Sequence, residues 1–459
     1  MIESTAAGPQ VIIGLGIAIF VMIFLVLKTR VHALLALIIA ASLAGIIGGM
    51  PPNEVVSTIT TGFGKTLSTI GLVIGFGVMM GRILEVSGAG QRMAYAILRL
   101  LGKNKEEGAM ALTGYIVSIP IFCDSAFVIL HPLVRALARN SGKSVIGLGI
   151  ALASGLSVTH SAVPPTPGPL GVAGIFGVDI GLMIAWGVVI TAPALLAMVI
   201  YAHIMGPKIE AMLARQPGGF DPEGHQDALT MKEESELPAL WLSCLPIGLP
   251  ILLIFLNTLT AALAGKESTN LLVQLVGFFG NPVIAVGIGV LIAVYGLMPK
   301  TPKDEVFQHL EKGVETAGII LLVTGAGGAL GAVLRASGAG DYIGEYVASM
   351  GIQPLLIPFI IATLVRFIQG SGTVSMITGA SISAPILANM PEVNMVLAAQ
   401  AACIGGIFFS YFNDSYFWVV NRLLGVKSTR HQLLVLSVPT TIGWAVSLVM
   451  LLTANAVMS

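Results

Sequence analysis

Long runs without a charged side chain recur along this chain, and they leave it few folds to choose from. Residues 10–27 and 181–205 contain no Asp, Glu, Lys or Arg, and comparable runs continue almost to the C-terminus. A run of about 20 apolar residues matches the hydrocarbon thickness of a bilayer. There every backbone N–H and C=O must find its partner inside the protein, so such runs become helices. The composition agrees: 55% of residues are hydrophobic and 10% charged, where a soluble domain carries about 25% charged residues. The expected fold is an all-α polytopic membrane protein.

The same numbers exclude several functions. Formal net charge is zero, so there is no basic surface for nucleic acid. Cys123, Cys244 and Cys403 are odd in number and lack CxxC spacing, which argues against a disulfide framework or a cysteine metal site. Neither HExxH nor GxSxG occurs, so an intramembrane enzyme is not expected, nor a cofactor beyond a coupling ion. The first run follows Glu3 rather than a basic region and reads as a retained span.

Taken in order, the first half (1–206) shows spans at about 10–27, 31–50 and 67–84, then a basic connector. The segment 112–138 has Ser118-Ile119-Pro120-Ile121-Phe122-Cys123-Asp124-Ser125 at its middle and basic residues at both ends. Positive charge marks the cytoplasmic side, so this segment reads as a re-entrant hairpin. A crossing at 144–178 is broken by His160–Pro169, where three prolines within four residues cannot continue a helix. The fifth crossing is 181–205. A polar stretch, 207–238, reads as a cytoplasmic linker. The second half (239–459) repeats the plan: crossings at 239–263, 282–298 and 317–334, a hairpin at 354–388, a broken helix at 396–425 and a last span at 433–453. Ser87-Gly88-Ala89-Gly90 and Ser337-Gly338-Ala339-Gly340 close the third span of each half. With the 28–30 turn inside, 19 of the 23 basic residues fall on the cytoplasmic side. Each half then has five crossings plus a hairpin, so the halves form two inverted repeats, with both termini outside.

Inverted repeats with hairpins and broken helices bring freed backbone together near the midplane to hold a solute. Helix N-termini at such breaks suit an anion. Asp414 and Asp124 lie within apolar surroundings, where an ionisable residue marks function by default. Each fits a proton or cation acceptor; Asp414 fits a helix cap equally well. His160 is of a residue type whose intrinsic pKa suits proton coupling, or is a satisfied polar group. Arg366 suits a substrate carboxylate, or neutralises an acid. Ser125, Ser161, Thr166, Ser371, Thr373, Asn413 and Ser415 offer hydroxyls and amides to a polyol, or close local backbone. Gly325-Ala326-Gly327-Gly328 reads as close helix packing.

Phe122-Cys123-Asp124-Ser125-Ala126-Phe127, His160 to Pro169, Gln369-Gly370-Ser371-Gly372-Thr373-Val374 and Asn413-Asp414-Ser415-Tyr416-Phe417-Trp418 together resemble the signature stretches of the gluconate permease (GntP) family of the ion-transporter superfamily. The resemblance runs over nearly the whole chain. It implies a bacterial inner-membrane carrier that imports gluconate or a related sugar acid, or D-serine as in some members of the family, by proton symport. It also implies a homodimer whose hairpin-bearing parts move against a scaffold. Cys123-Asp124-Ser125 departs from the gluconate carriers' pattern. A sodium-coupled carboxylate carrier or cation antiporter on the same scaffold is the alternative, since Gly370–Thr373 and Asn413–Ser415 also supply oxygen ligands.

Overall fold

The computed structural model describes residues 9–28, 31–102, 105–215, 234–264, 270–338, 353–411 and 413–458, as helices and their connections. Most of the expected linker (216–233) and the end of the second SGAG lie outside the described residues. By length and composition, six helices among the described residues can cross a membrane, or seven if one bent pair counts as a span.

The helices α1 (Pro9–Lys28) and α2 (Ala33–Ile47) lead to α3 (Pro52–Ser87). This helix starts well before the expected 67, with Pro52 at its first position and Glu54 in its first turn, both suited to a helix start. Residues 52–66 lack an apolar run, but packing holds them. The partner is α13 (Lys303–Ala336), which makes the most extensive helix contact with α3. A Cβ on Gly328 would lie 1.9 Å from Thr66 Oγ1, and one on Gly62 would lie 2.5 Å from Ala332 Cβ. The glycine run thus closes this crossing. The helix α13 also starts ahead of the expected 317, because Val306 is buried on one face of its polar first turns.

The connector after α3 is itself a helix, α4 (Ala89–Leu101). Met93, Ala94 and Ile97 face inward, while Arg92 pairs with Glu234 at 2.7 Å. The next two helices, α5 (Glu106–Val117) and α6 (Cys123–Ser141), are separated by a short turn. At about 1.5 Å per residue, the 12-residue α5 spans only about 18 Å, less than a bilayer core. The following span consists of α7 (Val145–Ala162) and α8 (Pro167–Phe176) and is the most enclosed of all, with 83% of its apolar window buried. The helix α9 (Ile180–Ala214) runs past Pro207, beyond the expected end at 205. Its extension is anchored by burial of Ile209 and Leu213, and by Glu210, which accepts from Ser144 Oγ and from Ile146 N–H at 3.3 Å. Glu210 thereby satisfies an orphan donor at the start of α7.

In the second half come α10 (Leu240–Ala264), then α11 (Leu271–Phe279), a helix absent from the sequence reading, bent by 60° from α12 (Pro282–Leu297). After α13 follow α14 (Leu356–Gln369), α15 (Gly372–Leu387), α16 (Met395–Gly405), α17 (Ser415–Leu423) and the last span, α18 (Thr429–Met458).

Glycine sets the spacing around the enclosed span. A Cβ on Gly155 would lie 2.0 Å from Ala111 O, and one on Gly114 2.5 Å from Leu152 O, so α5 and α7 touch backbone to backbone. The pair α14 and α16 does the same, with a Gly405 Cβ 2.6 Å from Phe359 O. Replacing Gly155 by Val should therefore destabilise the folded protein by at least about 2 kcal/mol. The check is the melting midpoint of the detergent-purified variant; an unchanged midpoint would contradict this packing.

Candidate functional site

Two short turns and two helix breaks determine where polar groups meet. The turn between α14 and α15 is made by Gly370, at φ 84°, which ends α14, and Ser371, whose Oγ accepts from Val374 N–H at 3.3 Å to cap α15. Gly370 is required: a Cβ there would lie 2.3 Å from Asn413 O. Between α16 and α17 the described residues 406–411 and 413–414 are not helical, with Phe409 at φ 33°. A non-glycine residue in that region is strained and must be held by its surroundings. In the first half, α5 and α6 are joined through Ser118–Phe122, and α7 breaks before α8 at residues 163–166.

These connections surround a cavity of about 420 Å³. Phe122, Cys123 and Asp124 line it from the first turn, Ser157, His160 and Ser161 from α7, and Arg366 with Gln369–Val374 from the second turn. Gly406 and Asn413–Tyr416 line it from the break, and Ile319, Ile320 and Val323 of α13 supply an apolar wall.

Its charges are arranged unequally. Arg366 Nη2 lies 2.6 Å from Asp414 Oδ2, and the two side chains are only 7% and 11% exposed. Arg366 Nε donates to Phe408 O at 3.3 Å and Nη1 donates to Gly370 O. One guanidinium thus ties the turn to the break. Asp414 also accepts from Ser410 Oγ, and through Oδ1 from Tyr416 N–H at 3.2 Å, capping α17. Asp124, in the first turn of α6, accepts from Ser415 Oγ at 3.2 Å, and Cys123 Sγ lies 3.7 Å from its other oxygen. It has no basic partner among the described residues. The His160 ring lies 5.6 Å from that of Phe122, and its Nδ1 is buried without a hydrogen-bond partner among the described residues.

The structure therefore brings nine of the residues singled out from sequence into one cavity: Asp124, His160, Ser161, Arg366, Ser371, Thr373, Asn413, Asp414 and Ser415. Two do not line it. Thr166 is buried and its hydroxyl donates to Val163 O at 2.7 Å, closing the break in α7. Ser125 follows Asp124 by one residue on a helix, which turns its side chain away from the face that carries Asp124. Arg366 has an acid and two backbone carbonyls as partners.

Sequence reasoning passed over Ser157, Ser437 and Thr440. Ser157 lies three residues before His160, the helical spacing that places both on one face, so periodicity pointed to it. Ser437 and Thr440 carried no such signal. They sit at and beside a π-helical turn, Leu433–Ser437, in α18. Ser437 Oγ donates to Ser410 O, and Ser410 N–H donates to Thr440 Oγ1 at 3.1 Å, so the last span holds the strained break.

A bundle of apolar helices around a buried polar cavity built at helix breaks is the architecture of a membrane transporter. Comparisons narrow this. The model of the GntP family permeases matches residues 10–457. An uncharacterized permease of Haemophilus influenzae is 55% identical over 98% of this chain and 93% of its own length. The gluconate permease of Pseudomonas aeruginosa is 33% identical over 90% of each chain. The YdaH transporter of Alcanivorax borkumensis has a similar fold, with a TM-score of 0.62 at 14% identity over 88% of this chain and 89% of its own. The chain belongs to the GntP permease family. It is an integral membrane protein that carries a small molecule, and its relatives are permeases rather than enzymes.

Removing one member of a buried pair leaves an uncompensated charge, at a cost of about 3–5 kcal/mol. Arg366→Ala and Asp414→Asn should each destabilise on that scale, and the double variant by clearly less than their sum. Strict additivity in detergent melting would show that the pair is not coupled.

Proposed function

We propose that this permease imports gluconate or a closely related sugar acid into the cell by proton symport, and that Asp124 carries the coupling proton. The observation behind this is the unequal pairing of the two acids in one cavity. Asp414 is compensated by Arg366, whereas Asp124 has a hydroxyl, a thiol and its own backbone N–H as partners and no basic residue among those described. An uncompensated charge in a low-dielectric interior is costly, so a proton on Asp124 removes the one charge the site does not balance. Asp414, paired with Arg366, caps α17.

The cavity volume falls within the range of about 300–1,000 Å³ usual for small-molecule sites. The substrate carboxylate docks at the N-terminus of α15, where Gly372 and Thr373 present backbone N–H groups and the helix dipole favours an anion. The hydroxyls of the sugar acid meet His160, Ser161, Ser157 and Asn413, which offer both donors and acceptors. The gluconate permease among the relatives supports the substrate class.

This reading includes the inverted-repeat plan, in the bacterial inner membrane and as a homodimer. In its support, each half runs through a helix–turn–helix unit and then a broken helix, in that order. The glycine-mediated pair α5–α7 in one half has its counterpart in α14–α16 of the other. The short helices α5 and α14 suit re-entrant turns, because neither is long enough to cross a bilayer core.

One proton moving with one monocarboxylate transfers no net charge, so the pH gradient drives accumulation, about tenfold per pH unit. A second proton would add about 2.3 kcal/mol per 100 mV. The test is uptake of radiolabelled gluconate into proteoliposomes under an inward pH gradient, with and without Na⁺. Wild type should accumulate substrate without Na⁺. Asp124→Asn should lose gradient-driven accumulation by at least about tenfold, while still exchanging substrate across the membrane at equilibrium. Accumulation that needs Na⁺ at fixed pH would favour a sodium-coupled carboxylate carrier or cation antiporter instead. A proton current evoked by D-serine but not by gluconate would keep the mechanism and change the substrate.

A further inference from the structure

The groups around the Arg366 guanidinium are of one chemical kind. Gly370 O comes from the C-terminal end of α14, Phe408 O from the break after α16, and Oδ2 from Asp414. All three are oxygens with no hydrogen to donate. Two are backbone carbonyls freed where helices stop, and one belongs to a helix C-terminus, the negative end of its dipole. Carbonyl and carboxylate oxygens converging in this way suit a small hard cation. The approach is also close on the backbone side, since a Cβ on Gly372 would lie 3.2 Å from Gly406 O and 3.8 Å from Arg366 Nη1. The oxygen set is thus drawn from two separate segments, and whatever cation fills it fastens the α14–α15 turn to the break.

We infer that Arg366 is a tethered cation: its guanidinium occupies a cation site made by Gly370 O, Phe408 O and Asp414, and so makes the carrier independent of Na⁺. An Arg side chain stays protonated at any working pH, so this site remains filled and charge-compensated throughout the transport cycle. The consequence for coupling rests on the proton-symport reading above: with Asp414 permanently compensated, Asp124 is the acid left to load and unload. The site itself stands on the geometry alone. Removing the side chain at 366 leaves the three oxygens and one uncompensated carboxylate, which a small free cation can then fill.

The test uses purified full-length wild type, Arg366→Ala and Arg366→Ala/Asp414→Asn. Each is melted in detergent in NaCl, in dilute guanidinium chloride, or in choline chloride at matched ionic strength. Each is also reconstituted for gluconate uptake under an inward pH gradient in the same salts. Wild type should be indifferent to replacement of choline by Na⁺. Arg366→Ala should lose uptake by at least about tenfold in choline. In Na⁺ or guanidinium it should regain at least about threefold of that loss and melt at a higher temperature than in choline. The double variant, which lacks the carboxylate, should show neither recovery. The inference is overturned if Arg366→Ala melts and transports identically in all three salts, or if the double variant is rescued as well. Silent uptake in wild type would count against gluconate as substrate, and the melting comparison would still decide whether a cation site lies under Arg366.

Discussion

The rest of this structure depends on how the backbone freed around Phe408–Ser410, between α16 and α17, is satisfied. A helix may stop inside a bilayer only where protein groups replace the lost hydrogen bonds. Here the replacements come from separate elements. Arg366 takes Phe408 O, Tyr411 OH and Asn413 Nδ2 donate to Phe367 O, and Ser437 and Thr440 hold Ser410 from the last span. The strained Phe409 and the cap on α17 sit within this frame. The polar groups left over face the cavity.

The elements around that frame touch through glycine. Backbone-to-backbone packing of α5 on α7 and of α14 on α16, together with the α3–α13 crossing, leaves little room for sliding. In a membrane no hydrophobic force drives helices together, so such close approach supplies the attraction. The same packing fixes both turns against the two broken helices. Asp124 reaches Ser415 across the two halves of the chain only because of it.

Much of the site was legible in the sequence, for a physical reason. Polar and ionisable residues are so costly within apolar runs that each one present points to a role, and Asp124, His160, Arg366 and Asp414 stood out on those grounds. Thr166 and Ser125 stood out equally and do not line the cavity, because proximity in sequence cannot say which way a helix faces or which hydroxyl closes its own break. Helix ends were less legible than helix cores. The first turns of α3 and α13, the end of α9 and all of α4 are polar enough to escape a hydropathy reading, and tertiary contacts hold them.

The sequence by itself determined that the chain is a bundle of apolar helices with interrupted segments, since an uncharged run has no other way to satisfy its backbone in lipid. It also determined which residue types stand at the interruptions. Only the tertiary structure decided how those residues are paired. Arg366 and Asp124 are separated by about half of the chain, and nothing local says which acid the arginine meets. The packing of α14 and α15 against the break places the guanidinium beside Asp414 and leaves Asp124 to the Ser415 hydroxyl and the Cys123 thiol. That choice makes two similar acids unequal, because the energy of a buried charge depends on its neighbours in space.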